Sequence, residues 1–220
     1  MTPADCNRAL VDGATRIKRH PMHRRFLILG AAASLAACVS TEPPNDPGDA
    51  CEIFENRDSW WDSVRRAERR WGAPPALVLA IIRQESGFDH NARPARGRGF
   101  LFFPGRRASS AHGYAQALTS TWEEYQRAAG NDGADRDEFH DAADFVAWYC
   151  GRSHAELGID FSDARGHYLA YHEGRGGYRR GSYQGNERLQ VSADRVQRYR
   201  DTYQSQLDGC ERRLNSWWPF

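Results

Sequence analysis

Pro74-Pro75-Ala76-Leu77-Val78-Leu79-Ala80-Ile81-Ile82-Arg83-Gln84-Glu85-Ser86-Gly87 is the stretch on which the fold of this 220-residue chain turns. It reads as a helix: proline suits the first turn, where its missing N–H is not needed, and Gly87 suits the stop. Val78, Ile81, Ile82 and Glu85 recur at helical spacing, so the carboxylate lies in line with an apolar stripe. Among aliphatic side chains the charged form of an acid is disfavoured, its pKa rises, and it keeps a proton to hand to a leaving group. The competing reading is a helix-end glutamate that reaches water or pairs with Arg83.

Outward from this helix the pattern stays helical. Asp58 is expected to cap a helix whose Trp60, Val64, Ala67 and Trp71 form one stripe before Gly72. Ser120-Thr121-Trp122-Glu123 matches a capping box for a helix ending at Gly130. A further helix is predicted from Asp137 towards Leu157, with Gly151 as its weak point, and a shorter one from about Ser162 to Glu173, ended by Gly174. Ser192 is expected to cap a long helix on which Val196, Tyr199, Tyr203, Leu207, Cys210 and Leu214 share a face. No alternating run demands more than a small β hairpin. The expected class is mainly α, in one domain with a full-sized core.

Three short motifs then carry a resemblance. Glu85-Ser86-Gly87-Phe88, Ser110-Ala111-His112-Gly113-Tyr114-Ala115-Gln116 and Ala170-Tyr171-His172-Glu173-Gly174 resemble, in order, those of the soluble-lytic-transglycosylase (SLT) domain family. The chain is most similar to the endo-type, membrane-bound lipoprotein branch, over roughly Cys51 to Cys210. The resemblance implies a goose-type, lysozyme-like fold and action on peptidoglycan. It also implies that one glutamate, Glu85, serves as acid and then base, cleaving the bond between N-acetylmuramic acid and N-acetylglucosamine without water and leaving a 1,6-anhydro end. By the same analogy Ser86 contacts the acetamido group, Tyr114 walls the groove, and Tyr171 steadies the intermediate or hydrogen-bonds Glu85. Gly113 permits close backbone approach and Gln116 supplies an amide, so their turn suits a sugar's polar groups. Rival roles are a helix-end cap for Ser86 and core packing for both tyrosines. His172 and Glu173 stand where many family members have asparagine and a small residue, and His112 is a further departure.

The alternatives are a lysozyme-like muramidase, which needs a base such as Glu173 or Asp89 to activate water, and a non-catalytic peptidoglycan-binding lipoprotein. Pure binding has no need of a desolvated acid.

The first 37 residues read as a targeting segment. Arg24-Arg25 precede an apolar run from Phe26 to Ala37, too short to span a bilayer, and Leu35-Ala36-Ala37-Cys38 resembles a lipobox. The polar lead-in before it places the expected start of translation at Met22. Cys38 is then the expected lipidated residue, and Val39 after it suggests, by analogy, a periplasmic protein anchored in the outer membrane. A simple secretory leader cut elsewhere is the alternative. Residues 1–37 hold six basic and two acidic side chains of the chain's 30 and 29, leaving 24 and 27, about −3. Nothing there suggests nucleic acid, and with Lys18 in the leader every remaining basic group is arginine, suited to the carboxylates of a peptide-bearing glycan.

Residues 38–49 read as the lipidated cysteine and a flexible tether, 50–214 as the catalytic domain and 215–220 as a short apolar tail. Export permits disulfides, and Cys51 and Cys210, at the two ends of the domain, are the expected pair; Cys150 is expected to be a buried thiol. The segment from Asp89 to Ser109 sets five arginines around Phe100-Leu101-Phe102-Phe103, and is expected either to wall the groove or to pin itself onto the core. The histidines lack ligand spacing and a cysteine pair, so neither metal nor cofactor is expected.

Overall fold

The computed structural model describes residues 42–94 and 109–216. Among these the chain forms seven helices: α1 (Ala50–Glu55), α2 (Asp58–Trp71), α3 (Pro75–Ser86), α4 (Thr119–Ala129), α5 (Phe139–Leu157), α6 (Ala164–Arg180) and α7 (Glu187–Ser216). No strand occurs among the described residues, within the limit of at most a small hairpin; one antiparallel bridge joins His112 and Ala117. The fold is mainly α and lysozyme-like, as expected. Cys38, the leader, most of the Asp89–Ser109 segment and Trp217 to Phe220 lie outside the described residues.

α3 is the axis. Every residue from Pro75 to Ile82 is buried, so this part of the helix has no solvent face, which is more than the single stripe read from sequence; Arg83 to Ser86 are half-buried. α2, α5, α6 and α7 pack around it. Leu77, Val78, Leu79, Ile81 and Ile82 each contribute about 1.5–3 kcal/mol by burial. Gly87 ends it in a left-handed conformation with its N–H on the Arg83 carbonyl at 3.0 Å.

Several helix starts differ from the sequence reading. Arg57, not Asp58, occupies the cap of α2, and Asp58 stands in the first turn, where a carboxylate still meets the positive end of the helix. The Ser120 capping box does not form: α4 starts at Thr119, whose N–H is met by Ser110 Oγ at 3.1 Å. α7 starts at Glu187, so Ser192 lies inside it. α5 runs unbroken through Gly151, because that glycine serves packing: a Cβ there would come within 2.6 Å of the Trp71 carbonyl oxygen. α6 leaves helical geometry at Gly174 (φ 72°, ψ 153°) but resumes and ends at Gly181.

Cys51 and Cys210 form a disulfide that joins α1 to α7 across 159 residues of sequence, and Cys150 is a buried free thiol. The expected tether is not free where it is described. Pro47 O accepts from the Tyr203 hydroxyl, Gly48 O from Gln206 Nε2 at 3.0 Å, and Glu42 O from Arg57, so residues 42–49 lie against the helical body.

Candidate active site

α3 delivers Glu85 from the core into a groove of about 450 Å³, within the size range of small-molecule sites. Gln116, Leu118, Tyr149, Tyr171 and Glu173 share its lining. A larger hollow of about 760 Å³ lies between α1, α2 and the end of α7, where Glu55, Asp58 and Asp62 share the lining with Arg65 and Arg69. Glu85, the acid singled out by the sequence, lies in the first of the two.

The Glu85 carboxyl is set up as an acid. Oε1 is buried and has no hydrogen-bond partner among the described residues. Burial pushes its pKa up to about 7, against the opposing interaction with the Tyr168 hydroxyl. The last turn of a helix also carries the negative end of its dipole, which favours a neutral group there. A pKa near neutrality lets one carboxyl give a proton and take one back at the same pH.

The second motif is a loop shaped by its own hydrogen bonds. Gly113 has φ 75°, its N–H reaches Ala92 O at 3.0 Å, and a Cβ there would lie 2.1 Å from Arg136 O. The close approach foreseen for this glycine is therefore to backbone. Gln116, at φ 46°, donates Nε2 to Ala92 O (2.8 Å) and Gly113 O (2.9 Å), so its amide nitrogen braces the loop while the residue lines the groove. Arg136 closes the frame by donating to Ser110 O and Ala117 O. His112, uninterpreted in the sequence, has Nε2 at 2.5 Å from Asp137 Oδ1 and 3.1 Å from Arg93, tying the loop to the start of α5 and the segment after α3.

Two sequence-predicted residues belong elsewhere. Tyr114 is 2% exposed and does not wall the groove: its ring meets the edges of Trp60 and Phe139, which stack at 3.7 Å. Ser86 Oγ donates to Ile82 O and accepts from Phe88 N, which is the helix-end cap. Tyr171 lines the groove, but its hydroxyl donates to Ala115 O at 2.6 Å, joining the third motif to the second. Tyr168, one turn earlier on α6, takes the place beside Glu85 expected for Tyr171. The i, i+3 spacing of the two tyrosines was visible, and it puts both on one helix face.

Below the groove, Asp144 fixes α5. Its carboxylate accepts from Trp71 Nε1 (2.8 Å), the Tyr125 hydroxyl (2.8 Å) and Arg70 (3.1 Å), drawing α2, α4 and α5 together. Phe145 and Tyr149, which follow it on α5, line the groove as a result. Tyr149 is held by its hydroxyl on Ala170 O at 3.0 Å, so it presents ring rather than hydroxyl.

A helical domain that carries a desolvated glutamate on a buried helix, facing a groove framed by aromatic rings, is of the lysozyme-like class. The family model described as the transglycosylase SLT domain matches residues 26–210, and the chain belongs to that family. It is thus placed among the lytic transglycosylases that act on peptidoglycan. Comparison with curated proteins gave no match.

Proposed function

We propose that this protein cleaves the β-1,4 bond between N-acetylmuramic acid and N-acetylglucosamine without water, using Glu85 alone as acid and then base. Protonated Glu85 gives its proton to the glycosidic oxygen, and the muramoyl N-acetyl group assists departure by closing onto C1. The resulting carboxylate then takes the proton of the C6 hydroxyl. The C6 oxygen bonds to C1 as the acetamido oxygen leaves it, which yields the 1,6-anhydro ring and returns Glu85 to its protonated form. The observation that carries this reading is the buried, unpartnered Glu85 Oε1 with a pKa of about 7. Mass spectrometry of muropeptides released from peptidoglycan by the purified protein tests it, with Glu85→Gln as control. Products one water lighter than reducing-end sugars, absent from the control, are expected; reducing-end products would overturn it.

A hydrolytic reading is kept alive by Glu173, a second carboxylate on the same groove, as the base that activates water. The same spectra separate the two. Cleavage within strands, membership of the endo-type lipoprotein branch and a periplasmic, outer-membrane-anchored location complete the proposal, supported by the motif set and by the Leu35-Ala36-Ala37-Cys38 leader. Labelling with a fatty-acid analogue tests the anchor: incorporation that is lost in Cys38→Ser is expected.

A further inference from the structure

We propose that Glu173 makes the wall of this groove a recognition site for a primary ammonium group on the glycan substrate. The proposal rests on the peptidoglycan reading above and concerns which strands the groove prefers.

Among the described residues, the ionisable acid and base side chains lining the groove are Glu85, His172 and Glu173, with no arginine. The nearby acids Glu124 and Glu156 are already committed to Arg175, at 3.3 and 3.0 Å. Glu173 has no arginine partner among the described residues; its ion pair is with His172. Its Oε2 accepts from the Ser182 hydroxyl at 2.6 Å and its Oε1 lies 3.2 Å from Nδ1 of His172, an exposed ring. The Ser182 bond holds its pKa below the ordinary glutamate value, so it stands ionised where Glu85 keeps a proton.

The carboxylate is also fixed in place. Gly174 breaks α6 directly after it, and Ser182 returns from beyond the end of the helix to hold it. Gly177 makes room for this return: a Cβ there would lie 2.9 Å from Ser182 Oγ and 3.0 Å from Glu173 Cβ. Two carboxylate oxygens offer about four acceptor positions, and the two contacts described leave capacity for a donor in the groove. A compact ammonium, with three donors and a full charge, is the complement. On peptidoglycan such a group is the free amine of an uncrosslinked diamino-acid side chain, or a glucosamine amine that lacks its acetyl group. Crosslinking or acetylation removes both the charge and two of the donors, so the groove should favour strands whose amines are free.

The test uses the full chain on one peptidoglycan preparation, before and after chemical N-acetylation. Acetylation is expected to raise KM about two- to fivefold with kcat unchanged, the upper range for a partly exposed charge contact. Glu173→Gln is expected to treat both substrates alike, and Ser182→Ala to lose part of the preference. Amidase-stripped strands, with and without de-N-acetylation, distinguish a sugar amine from a peptide amine. Indifference of the wild type to acetylation overturns the proposal, as does a full preference retained in Glu173→Gln. Equal loss of kcat on both substrates in that variant also overturns it, since Glu173 would then act in bond cleavage. Should Glu173→Gln fail to fold, an undiminished preference in Ser182→Ala overturns it. Absence of anhydro products from the wild type would instead overturn the proposed reaction.

Discussion

Glu85 couples catalysis to stability through one proton. An acid whose folded pKa lies above its unfolded value contributes stability that is fully present below the unfolded value and lost as pH rises through the folded one. With a shift from 4.5 to about 7, the window is pH 4.5 to 7 and the loss is about 3 kcal/mol at most. Glu85→Gln carries no such proton. Its melting temperature is expected to match the wild type at about pH 4 and to exceed it at pH 8, in paired thermal scans. The same variant is expected to lose about 10²-fold or more in turnover while still binding glycan. Tyr168 makes a separate case. Its hydroxyl lowers the Glu85 pKa, so Tyr168→Phe should raise it and move the alkaline fall of the pH–rate profile to higher pH. An unmoved alkaline limb would show that the hydroxyl does not act on the acid. Glu85 was legible in the sequence because helical spacing places it in line with aliphatic residues and the first of three ordered motifs carries it. Tyr168 was not singled out, since only the packing of α6 on α3 decides which of two tyrosines on one face meets the acid.

At the scale of elements, α2 and α5 meet so closely that a side chain is excluded between them. Gly151→Ala should gain about 1 kcal/mol in helix propensity. The new Cβ, however, would lie 2.6 Å from a backbone carbonyl of α2, and backbone cannot move aside as a flexible side chain can. Overpacking of this kind costs about 1–3 kcal/mol, so net destabilisation is expected in chemical denaturation; a more stable variant would mean that α2 shifts freely. Asp144→Ala should cost more, about 2–4 kcal/mol, because it leaves Trp71 and Tyr125 without the acceptor they share and frees Arg70. Helix ends at Gly72, Gly87 and Gly130 were readable, since the stop signal is local. Helix starts were not: the N–H of Thr119 is satisfied by Ser110, nine residues upstream, and nothing in a capping box reveals a partner outside the helix. Gly151 and Gly174 look alike in sequence, yet one serves a close approach and the other a kink, which only tertiary packing separates.

At the scale of the molecule, the two ends of the folded body are clasped away from the groove. The disulfide joins α1 to α7, while Tyr203 and Gln206 of α7 hold Pro47 and Gly48. The groove is built by α3, α5, α6 and the second-motif loop, none of which is cross-linked by that bond. Replacing Cys51 and Cys210 by serine should therefore lower stability without dismantling the site. Constraining 159 residues of unfolded chain is worth about 5 kcal/mol by chain entropy and about 2–4 in typical measurements. For a body of this size each kcal/mol corresponds to about 2–4 °C, so a fall of about 4–16 °C in melting temperature is expected, with glycan cleavage at 25 °C retained. Reducing the wild type should reproduce the shift. Cys150 cannot confuse that comparison, because it is buried and its thiol is pushed well above the ordinary range by desolvation. A variant that melts with the wild type would mean that α1 is held by packing alone. One that loses activity in proportion to stability would mean that the clasp reaches the groove through α7, which packs on both α3 and α6.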